Sequence, residues 1–419
     1  MNTASRNTWK ADSPLPASSM AGGVLDALLP HVEYNDQSGL NVVRISTNTE
    51  LANLKTDWEA LEAELADSQL IFQSHSWCSA WADTFMETPE QHSLCVLAAH
   101  RTGKVVAILP VMIKCSKGIR VAQWLSEPYA QYGGILISPD EDRAALTTTL
   151  FNELKSQRDI DLVHLRHVRK DTDAWEFCAN HLKPSGYRET APFMDLSAFA
   201  DDEAYQARYT KTQRRRRKKI ATSIEQIGAI TFTKYTSGNG FTDHCKQIID
   251  NKQTWIAERG LHTSALHCPN LAKFLNHLAN NHNPDITTVI TETTAGKRGV
   301  SHEIGLRYKS RHCAFITAHD TDLTDLSPAR LHMDRSQRLA LADGMRTFDL
   351  MVPGDTYKAS WSSGSVEIGD FACPLNLRGY IYHYVYVRTL RHILRAAYLR
   401  APGRIRLVAM SLLQPLMRK

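Results

Sequence analysis

The same order of hairpin, helix and strand occurs twice along this chain, and this repetition constrains the fold more than any other feature. In each half, a hairpin with a glycine turn, at Gly103 or at Gly296, precedes a helical segment and then a short apolar strand. The two glycines lie almost as far apart along the chain as the two later strands, around Leu162 and Leu350. The repetition predicts an α/β (α+β) fold of two tandem domains, each with a mixed central sheet flanked by helices.

The predicted boundaries follow from this repeat and from composition. The helices expected from apolar spacing and capping residues are Leu51–Leu65, Ser74–Phe85, Asp140–Lys155, Phe241–Glu258, Pro269–Leu278 and Pro328–Ala342. The expected strands are Cys95–Ala99, Val105–Ile113, Asp161–Leu165, Thr288–Ile290, Val300–Tyr308, His312–Thr317 and Phe348–Val352. We therefore predict a disordered lead over residues 1–40, domains over 41–198 and 199–377, and a helical tail over 378–419.

Composition narrows the class of protein. The chain has 419 residues, 43% of them hydrophobic, which is enough for substantial cores. It has no run of 18 apolar residues and no basic segment followed by an apolar block at its start, so neither a membrane span nor a secretory signal is expected. The eight cysteines are scattered without a CxxC pair, which favours a cytoplasmic protein, and no residue spacing indicates a metal site.

The net charge of +5 is concentrated in the tail. Residues 371–419 contain nine Lys or Arg and no Asp or Glu. Arg388, Arg391 and Arg395 recur at helical spacing, with apolar residues on another face, which predicts an amphipathic basic helix. Such a helix either packs on the body with its arginines outward or makes a peripheral contact with the inner face of a membrane. The sequence favours neither alternative.

The densest charge run is Arg214–Lys219, six consecutive basic residues within a helix predicted over 203–227. Six successive residues encircle a helix, so they cannot all face one partner, and a solvated helix is one interpretation. Electrostatic capture of an anionic substrate or of the CoA phosphates, with Arg215 as its representative, is the second. An RNA-binding patch is a third and weaker one, because no aromatic-rich nucleic-acid module accompanies the run.

The stretch FDLMVPGDTYKASW, residues 348–361, carries the strongest functional signal. A buried strand is followed by Pro353-Gly354-Asp355 and then by polar and aromatic side chains, at the strand end where α/β folds commonly bind ligands. This stretch resembles the signature of the BioF2-like or CelD-like acetyltransferases, a family of the GNAT superfamily related to the FemAB aminoacyltransferases. The resemblance extends to Phe72–Trp77 with Trp81, to Val106–Pro110, to Tyr132-Gly133-Gly134 and to Ser327-Pro328.

The resemblance implies an acyltransferase that uses acetyl-CoA and needs no metal. Asp355 is then a candidate general base, Tyr357 a candidate donor of a proton to the leaving thiolate, and Lys358 a contact for a phosphate or an anionic substrate. Ser327 and Arg330, together with Lys358, are candidates for binding CoA, and Trp361 for binding substrate. The structural alternatives are a turn residue for Asp355, packing for Tyr357 and Trp361, and a surface ammonium for Lys358.

Four further residues are candidates for lining a substrate pocket. His302 and Glu303 lie mid-strand on opposite faces, so at most one of them faces a given cleft. Either is a candidate base, and a cross-strand structural role is the alternative that the sequence favours. Tyr129 and Tyr132 lie beside Gly133-Gly134 in the first half, where they either line a pocket or pack as core aromatics.

One loop departs from the usual GNAT pattern. Many GNAT enzymes cradle the CoA pyrophosphate with a glycine-rich loop at a helix start, but here the corresponding segment 320–327 has Asp320, Asp322 and Asp325 and no glycine. Three carboxylates are expected to repel a pyrophosphate.

The resemblance implies transfer of an acyl group to a hydroxyl or amine of a sugar in extracellular-polysaccharide or cell-envelope biosynthesis. The alternatives are a FemAB-type enzyme with an aminoacyl-tRNA donor, which is the one interpretation with a nucleic-acid partner, and a non-catalytic component of a polysaccharide synthase complex.

Overall fold

Two sheets organise the chain in the computed structural model. The structure describes residues 39–401 except 67, 87–90, 117, 187, 239, 260–262, 264, 281–282, 284–285, 391–392, 394–396 and 398–399. The predicted lead and most of the predicted tail beyond residue 390, including Arg391 and Arg395, therefore lie outside the described residues.

The strands are β1 Leu40–Ile45, β2 His92–Leu94, β3 Val96–Arg101, β4 Lys104–Leu109, β5 Val111–Ser116, β6 Ile119–Trp124, β7 Leu136–Ile137, β8 Leu162–Arg169, β9 Lys183–Pro184, β10 Glu189–Asp195, β11 Ile230–Tyr235, β12 Ile286–Ala295, β13 Arg298–Tyr308, β14 Arg311–His319, β15 Thr347–Asp349 and β16 Gly364–Pro374. The α-helices are α1 Asn48–Asn53, α2 Lys55–Glu64, α3 His75–Phe85, α4 Arg143–Ser156, α5 Asp173–His181, α6 Asp202–Ala207, α7 Lys211–Glu225, α8 Phe241–Glu258, α9 Leu271–Ala279, α10 Pro328–Ala342, α11 Thr356–Ala359 and α12 Leu377–Ile381. A π-helical segment, Tyr382–Leu390, continues from α12.

The larger sheet runs through both halves of the chain. Its order is β11-β12-β13-β14-β15-β10-β16-β8-β6-β5-β2, with β9 paired to β16, while β1-β3-β4-β7 form the smaller sheet. In each half, two parallel strands are joined through a helix: β6 and β8 through α4, and β14 and β15 through α10. This arrangement confirms the predicted α/β fold of two halves with mixed sheets and flanking helices.

The two halves exchange their final strands. Strand β10 comes from the first half but lies between β15 and β16, and β16 comes from the second half but pairs antiparallel with β8. The main hydrophobic core is also shared, since Trp77 of α3 meets Phe274 of α9 edge to face with ring centroids 4.8 Å apart. Among the described helices, none has the length and apolarity to cross a bilayer.

Four predicted elements differ from the observed ones. The helix predicted over 51–65 belongs to two helices that meet at Leu54, and the strand predicted over 105–113 is divided at Pro110, which sends β4 and β5 to different sheets. The helix predicted over 203–227 is also two helices. Thr210 begins the second of them with a capping box, because its hydroxyl accepts from Gln213 N and the Gln213 side chain accepts from Thr210 N.

The fourth difference concerns the strand predicted over 348–352, which ends at Asp349. The Asp349 carboxylate accepts a hydrogen bond from Met351 N at 2.9 Å, and Met351 has a φ of +63°. That left-handed backbone turns the chain out of the sheet two residues after the strand ends.

Candidate functional site

The second half contains a gap between two parallel strands. Residues Arg311, His312 and Cys313 of β14 pair with Thr347, Phe348 and Asp349 of β15, and there the ladder ends. Strand β14 continues to His319, whereas the next residue after β15, Leu350, donates instead to Pro192 O of β10 at 2.9 Å. The strands therefore stop pairing beyond Cys313 and Asp349, and we call the place where they part the strand gap.

In the first half the corresponding opening is filled. Trp124, at the end of β6, is buried, and its indole N–H donates to Arg166 O of β8 at 2.8 Å. A further bridge joins Gly133 to Val168 of β8, and a Cβ atom at Gly133 would lie 1.8 Å from Trp124 Nε1. Because the indole and this bridge occupy the space between β6 and β8, the second half carries the better candidate site.

Local sequence explains how the chain leaves the gap and forms α11. Gly354 passes so close to β10 that a Cβ atom there would lie 2.2 Å from Thr190 Oγ1 and 2.8 Å from Thr190 O. Asp355 then caps α11, since its Oδ1 accepts from Lys358 N at 2.7 Å. The exposed Asp355 thus has the structural role of a cap, and its predicted role as general base stays a prediction.

Adjacent residues of α11 make contacts on different sides of the gap. The Tyr357 hydroxyl donates to Ala329 O in the first turn of α10 at 3.1 Å, and burial raises the pKa of this phenol. The Lys358 ammonium donates to Met351 O at 3.0 Å. Burial lowers the pKa of Lys358, and the nearby Asp355 charge opposes part of that effect.

The start of α10 offers groups that fit an acyl-CoA phosphate. Ser327 has a φ of +57° and makes no side-chain cap bond, and Pro328 is the first residue of the helix. The Arg330 guanidinium lies 5.6 Å from the Tyr357 ring and forms no ion pair within the part of the chain that the structure describes. A free hydroxyl, an unpaired guanidinium and a helix start suit an anion.

The acidic loop before α10 is less repulsive than its sequence suggests. Arg298 Nε donates to Asp320 at 2.6 Å, and Arg298 Nη2 donates to Asp322 at 3.1 Å. Two of the three carboxylates in segment 320–327 therefore share one guanidinium from the end of the β12–β13 hairpin, which offsets one of their negative charges. The expected repulsion of a pyrophosphate is weakened accordingly.

On the other side of the gap, α8 presents basic residues that the sequence analysis did not single out. Lys252 Nζ lies 4.3 Å from the centroid of the Trp255 ring, and the Arg259 guanidinium lies 3.9 Å from the same ring. Trp255 also meets His319, at the end of β14, with centroids 6.4 Å apart. The spacing of Lys252, Trp255 and Arg259, at i, i+3 and i+7 of a predicted helix, is the signal that could have revealed this face.

Trp361 and the basic helix α7 meet at a buried position. The Trp361 carbonyl accepts from the Gln337 side chain at 3.0 Å, and its ring lies 4.4 Å from the guanidinium of Arg217. Arg217 also stacks on Tyr209 at 3.3 Å and pairs with Asp334 of α10. The predicted substrate contact Arg215, by contrast, is exposed. Of the basic run, Arg217 is the residue that contacts the body.

His302 and Glu303 face opposite sides of the sheet, as alternation predicts. Glu303 Oε1 accepts from His312 at 2.7 Å and from Ser336 of α10 at 2.9 Å. Burial acts to raise the pKa of Glu303, but the hydrogen bond and charge of His312, with the charge of His332 and the Ser336 hydrogen bond, outweigh it and hold the pKa below its usual value. His302 lies 3.5 Å from Glu292 of β12, and burial lowers its pKa.

Tyr132 joins the two halves at the inner end of the gap. Its hydroxyl donates to Asp349 Oδ1 at 2.7 Å, while Asp349 Oδ2 accepts from Arg311 at 2.9 Å and from Arg169 at 3.3 Å. Tyr129 donates to Ala265 O at 3.1 Å. Both tyrosines are buried, so the structure places them as core and network residues.

Comparisons with known proteins agree with this geometry. Residues 207–359 match the family described as an acetyltransferase (GNAT) domain. No curated protein sequence matches the chain. The matched region contains β14, α10, β15 and α11, the elements that form the strand gap.

Solved structures resemble the chain in fold at low sequence identity. The crystal structure of FemX is 13% identical, with a TM-score of 0.53 over 82% of this chain and 99% of that one. The C-terminal domain of a putative lysylphosphatidylglycerol synthetase from Agrobacterium fabrum is 10% identical, with a TM-score of 0.51 over 81% and 95%. A tandem GNAT protein from the clavulanic acid pathway is 10% identical, with a TM-score of 0.45 over 80% and 99%.

The match over residues 207–359 indicates a GNAT-type acyltransferase domain in this enzyme, a class of domain that takes an acyl-CoA as co-substrate.

Proposed function

We propose that this enzyme transfers an acetyl or other acyl group from CoA to a hydroxyl or amine of a sugar, in extracellular-polysaccharide or cell-envelope biosynthesis. In this proposal it is a BioF2-like or CelD-like enzyme that acts in the cytoplasm. The observation that carries the donor part is the start of α10 at the mouth of the strand gap, inside the matched GNAT region. The acceptor part rests on the resemblance of residues 348–361 alone.

The reaction needs an attack on a thioester carbonyl and a proton for the leaving group. The acceptor oxygen or nitrogen forms a bond to the carbonyl carbon, the carbon–sulfur bond breaks, and the thiolate takes a proton. Tyr357 is the proposed source of that proton, because its hydroxyl lies at the start of α10, where it donates to Ala329 O at 3.1 Å. Arg330 and Ser327 are suited to bind the phosphates of CoA, and Asp355 remains the proposed base.

Calorimetric titration with acetyl-CoA tests the donor. We expect micromolar binding that Arg330→Met weakens about ten-fold, because a charge-assisted contact to phosphate is lost. Arg215→Met is the matched control, since this arginine is exposed on α7 and should leave the affinity unchanged. Failure of wild-type protein to bind either acetyl-CoA or CoA would count against the proposed donor.

A second candidate is transfer from an aminoacyl-tRNA, as in FemAB-type enzymes. The observation that favours it is the row of exposed cations on α7, namely Arg214, Arg215, Arg216, Lys218 and Lys219. The fold likeness to FemX is compatible with it. The proposal predicts that tRNA binding weakens steeply with salt, and that replacing Arg215 and Arg216 by Gln reduces the salt slope by about two. Equal affinity at low and high salt would oppose it.

A further inference from the structure

The α8 side of the strand gap carries a set of cations that the donor does not need. Lys252 and Arg259 lie against the Trp255 ring, and the charge of Lys358 acts on Lys252; we call these three cations the Lys252 cluster. We infer that this cluster binds a phosphate ester of the acceptor, so that the acceptor is a phosphorylated or nucleotide-linked sugar. The inference rests on the proposed function, because it takes the start of α10 as the place of the donor phosphates.

The cations of the cluster have no anionic partner among the described residues. Lys252 and Lys358 form no ion pair there; the Lys358 ammonium donates to a backbone carbonyl, and the Arg259 guanidinium donates to Trp255 O at 3.0 Å. The Trp255 indole N–H is buried and has no hydrogen-bond acceptor. Two cationic side chains beside an unsatisfied donor, with the charge of Lys358 also acting on Lys252, form an arrangement that an oxyanion would complete.

The carboxylates near the cluster are already engaged. Asp355 accepts the capping bond of α11, Asp320 pairs with Arg298, and Glu258 accepts from Thr321 at 3.1 Å. Of these three, Asp355 is the one whose charge acts directly on Lys252. Two cations, Lys358 and Arg259, therefore act on the partly buried Lys252 against the one carboxylate of Asp355, and this balance of charge favours an anion there.

The pKa of Lys252 is consistent with an anion site at the Lys252 cluster. Burial, with the charges of Lys358 and Arg259, lowers the pKa of Lys252 to about 8, and Asp355 opposes the shift. Neighbouring His319 has a pKa lowered by burial and by the charges of Lys252 and Arg259. A bound anion would offset the repulsion of Lys252 by Lys358 and Arg259 and would raise the pKa of Lys252, so that Lys252 would take up a proton.

Position separates the cluster from the proposed donor site. Tyr357 bonds to α10, where Ser327 and Arg330 lie, whereas the next residue, Lys358, bonds to Met351 O and its charge acts on Lys252 of α8. In the first half, a cavity of about 430 Å³ between α4 and α5 also holds basic residues. There Arg143 pairs with Asp173 at 2.9 Å and Lys170 pairs with Glu367 at 3.1 Å, so these cations are neutralised.

The test uses UDP-glucose as the probe and methyl glucoside as the uncharged comparison, in calorimetric titrations of the full chain with and without saturating CoA. We expect UDP-glucose, but not methyl glucoside, to bind the CoA-saturated protein. Lys252→Gln should weaken that binding about ten-fold or more, because a charged hydrogen bond is lost, and should change CoA affinity less than two-fold. Lys246→Gln, an exposed lysine of the same helix, is the control expected to bind as wild type.

Lys252→Arg provides a second readout that a folding defect cannot imitate. It should retain UDP-glucose affinity. At a pH of about 8, binding of UDP-glucose to the wild-type protein should be accompanied by proton uptake, which is measured by repeating the titration in buffers of different ionisation enthalpy. In Lys252→Arg this uptake should fall by at least half, because arginine is already charged.

Two outcomes would overturn the inference. One is the absence of UDP-glucose binding at concentrations of a few millimolar. The other is a combined result: the CoA-saturated wild-type protein does not bind UDP-glucose, and Lys252→Gln weakens the binding of CoA. That result would assign the cluster to the donor. A failure of CoA alone to bind would instead refute the proposed donor, while Lys252-dependent UDP-glucose binding would still support the anion site.

Discussion

At the scale of single residues, Asp349 shows how a motif position serves the fold before it serves chemistry. Its carboxylate is fully buried and receives bonds from Arg311, Arg169, Tyr132 and its own chain at Met351. Two of these donors come from the first half of the chain and two from the second. Asp349, which belongs to the 348–361 motif, therefore anchors the fold at the inner end of the strand gap.

Asp349→Asn should destabilise the protein by about 3–5 kcal/mol, because two buried guanidinium groups lose their shared anion. Urea unfolding measures the loss. The matched control is Asp355→Asn, which keeps a capping side chain at an exposed position and should cost less than about 1 kcal/mol. Equal losses in the two variants would contradict the assigned roles.

The candidate site was predicted from sequence only in part, for reasons that particular residues make clear. Tyr357 and Lys358 follow a recognisable strand end, so their place at the gap could be anticipated, whereas Lys252 lies on α8, far away in sequence, and joins them only through the tertiary fold. Arg215 was chosen from a run of six similar basic residues. The sequence does not indicate which of the six contacts the rest of the protein, and in the structure that residue is Arg217.

At the scale of elements, α7 combines an exposed cationic face with one inserted arginine. Arg217→Met should cost about 1–3 kcal/mol of unfolding free energy, since it removes the contacts with Tyr209 and Trp361 and the ion pair with Asp334. Arg215→Met, on the exposed side, should remain within about 0.5 kcal/mol of wild type. Thermal or urea unfolding of this pair tests the difference; if both variants unfold like wild type, Arg217 has no structural role.

The segment from α12 onward exposes apolar side chains, which favours the peripheral membrane contact over the packed alternative for the tail. Ile381 is 53% exposed and Val385 is 58% exposed, with Arg378 and Arg388 nearby in sequence. Replacing both apolar residues by Asp should reduce co-sedimentation with vesicles rich in anionic lipid about ten-fold or more, because buried apolar area is lost. Ile227→Asp, at an exposed apolar residue elsewhere, is the control. Unchanged vesicle binding would reject the contact.

Long helices with a clear apolar period were easier to predict than strands whose place depends on pairing with distant parts of the chain. The bounds of α8 and α10 agree with those expected from apolar spacing and, for α10, from Pro328 near the helix start. The long strand β16 was not anticipated. It pairs with strands of the other half, and its residues from Gly364 to Pro374 show no simple alternation of burial.

At the scale of the whole molecule, Glu62 of α2 links the halves through Tyr308 of β13, whose hydroxyl donates to it at 2.8 Å. Burial raises the pKa of Glu62 from 4.5 to about 7. The folded protein therefore holds a proton that the unfolded chain releases between these values. The resulting stability is complete below the unfolded pKa and is lost as pH rises through the folded one.

Glu62→Gln should remove this dependence, because an amide does not titrate. Its oxygen can accept from His75 N, as Glu62 Oε1 does at 2.7 Å, and its NH2 group can donate to the Tyr308 hydroxyl. Wild type should lose up to about 1.4 kcal/mol per pH unit more than the variant within that window. Urea unfolding at pH values of roughly 5 and 7.5 measures the difference. Glu64→Gln is the control, since the pKa of Glu64 is lowered by Lys104 and its contribution is lost at lower pH. Parallel losses in wild type and Glu62→Gln would refute the linkage.

The exchange of β10 and β16 has a consequence for synthesis on the ribosome. When the first 200 or so residues have emerged, β8 still lacks β16 as its neighbour, and β10 lacks both strands between which it finally lies. The nascent chain must therefore carry open strand edges until residue 374 has left the exit tunnel, which is the condition under which edges pair wrongly with other chains. Gene fragments cut near residue 198 should for this reason aggregate when expressed alone and recover only when both fragments are made together.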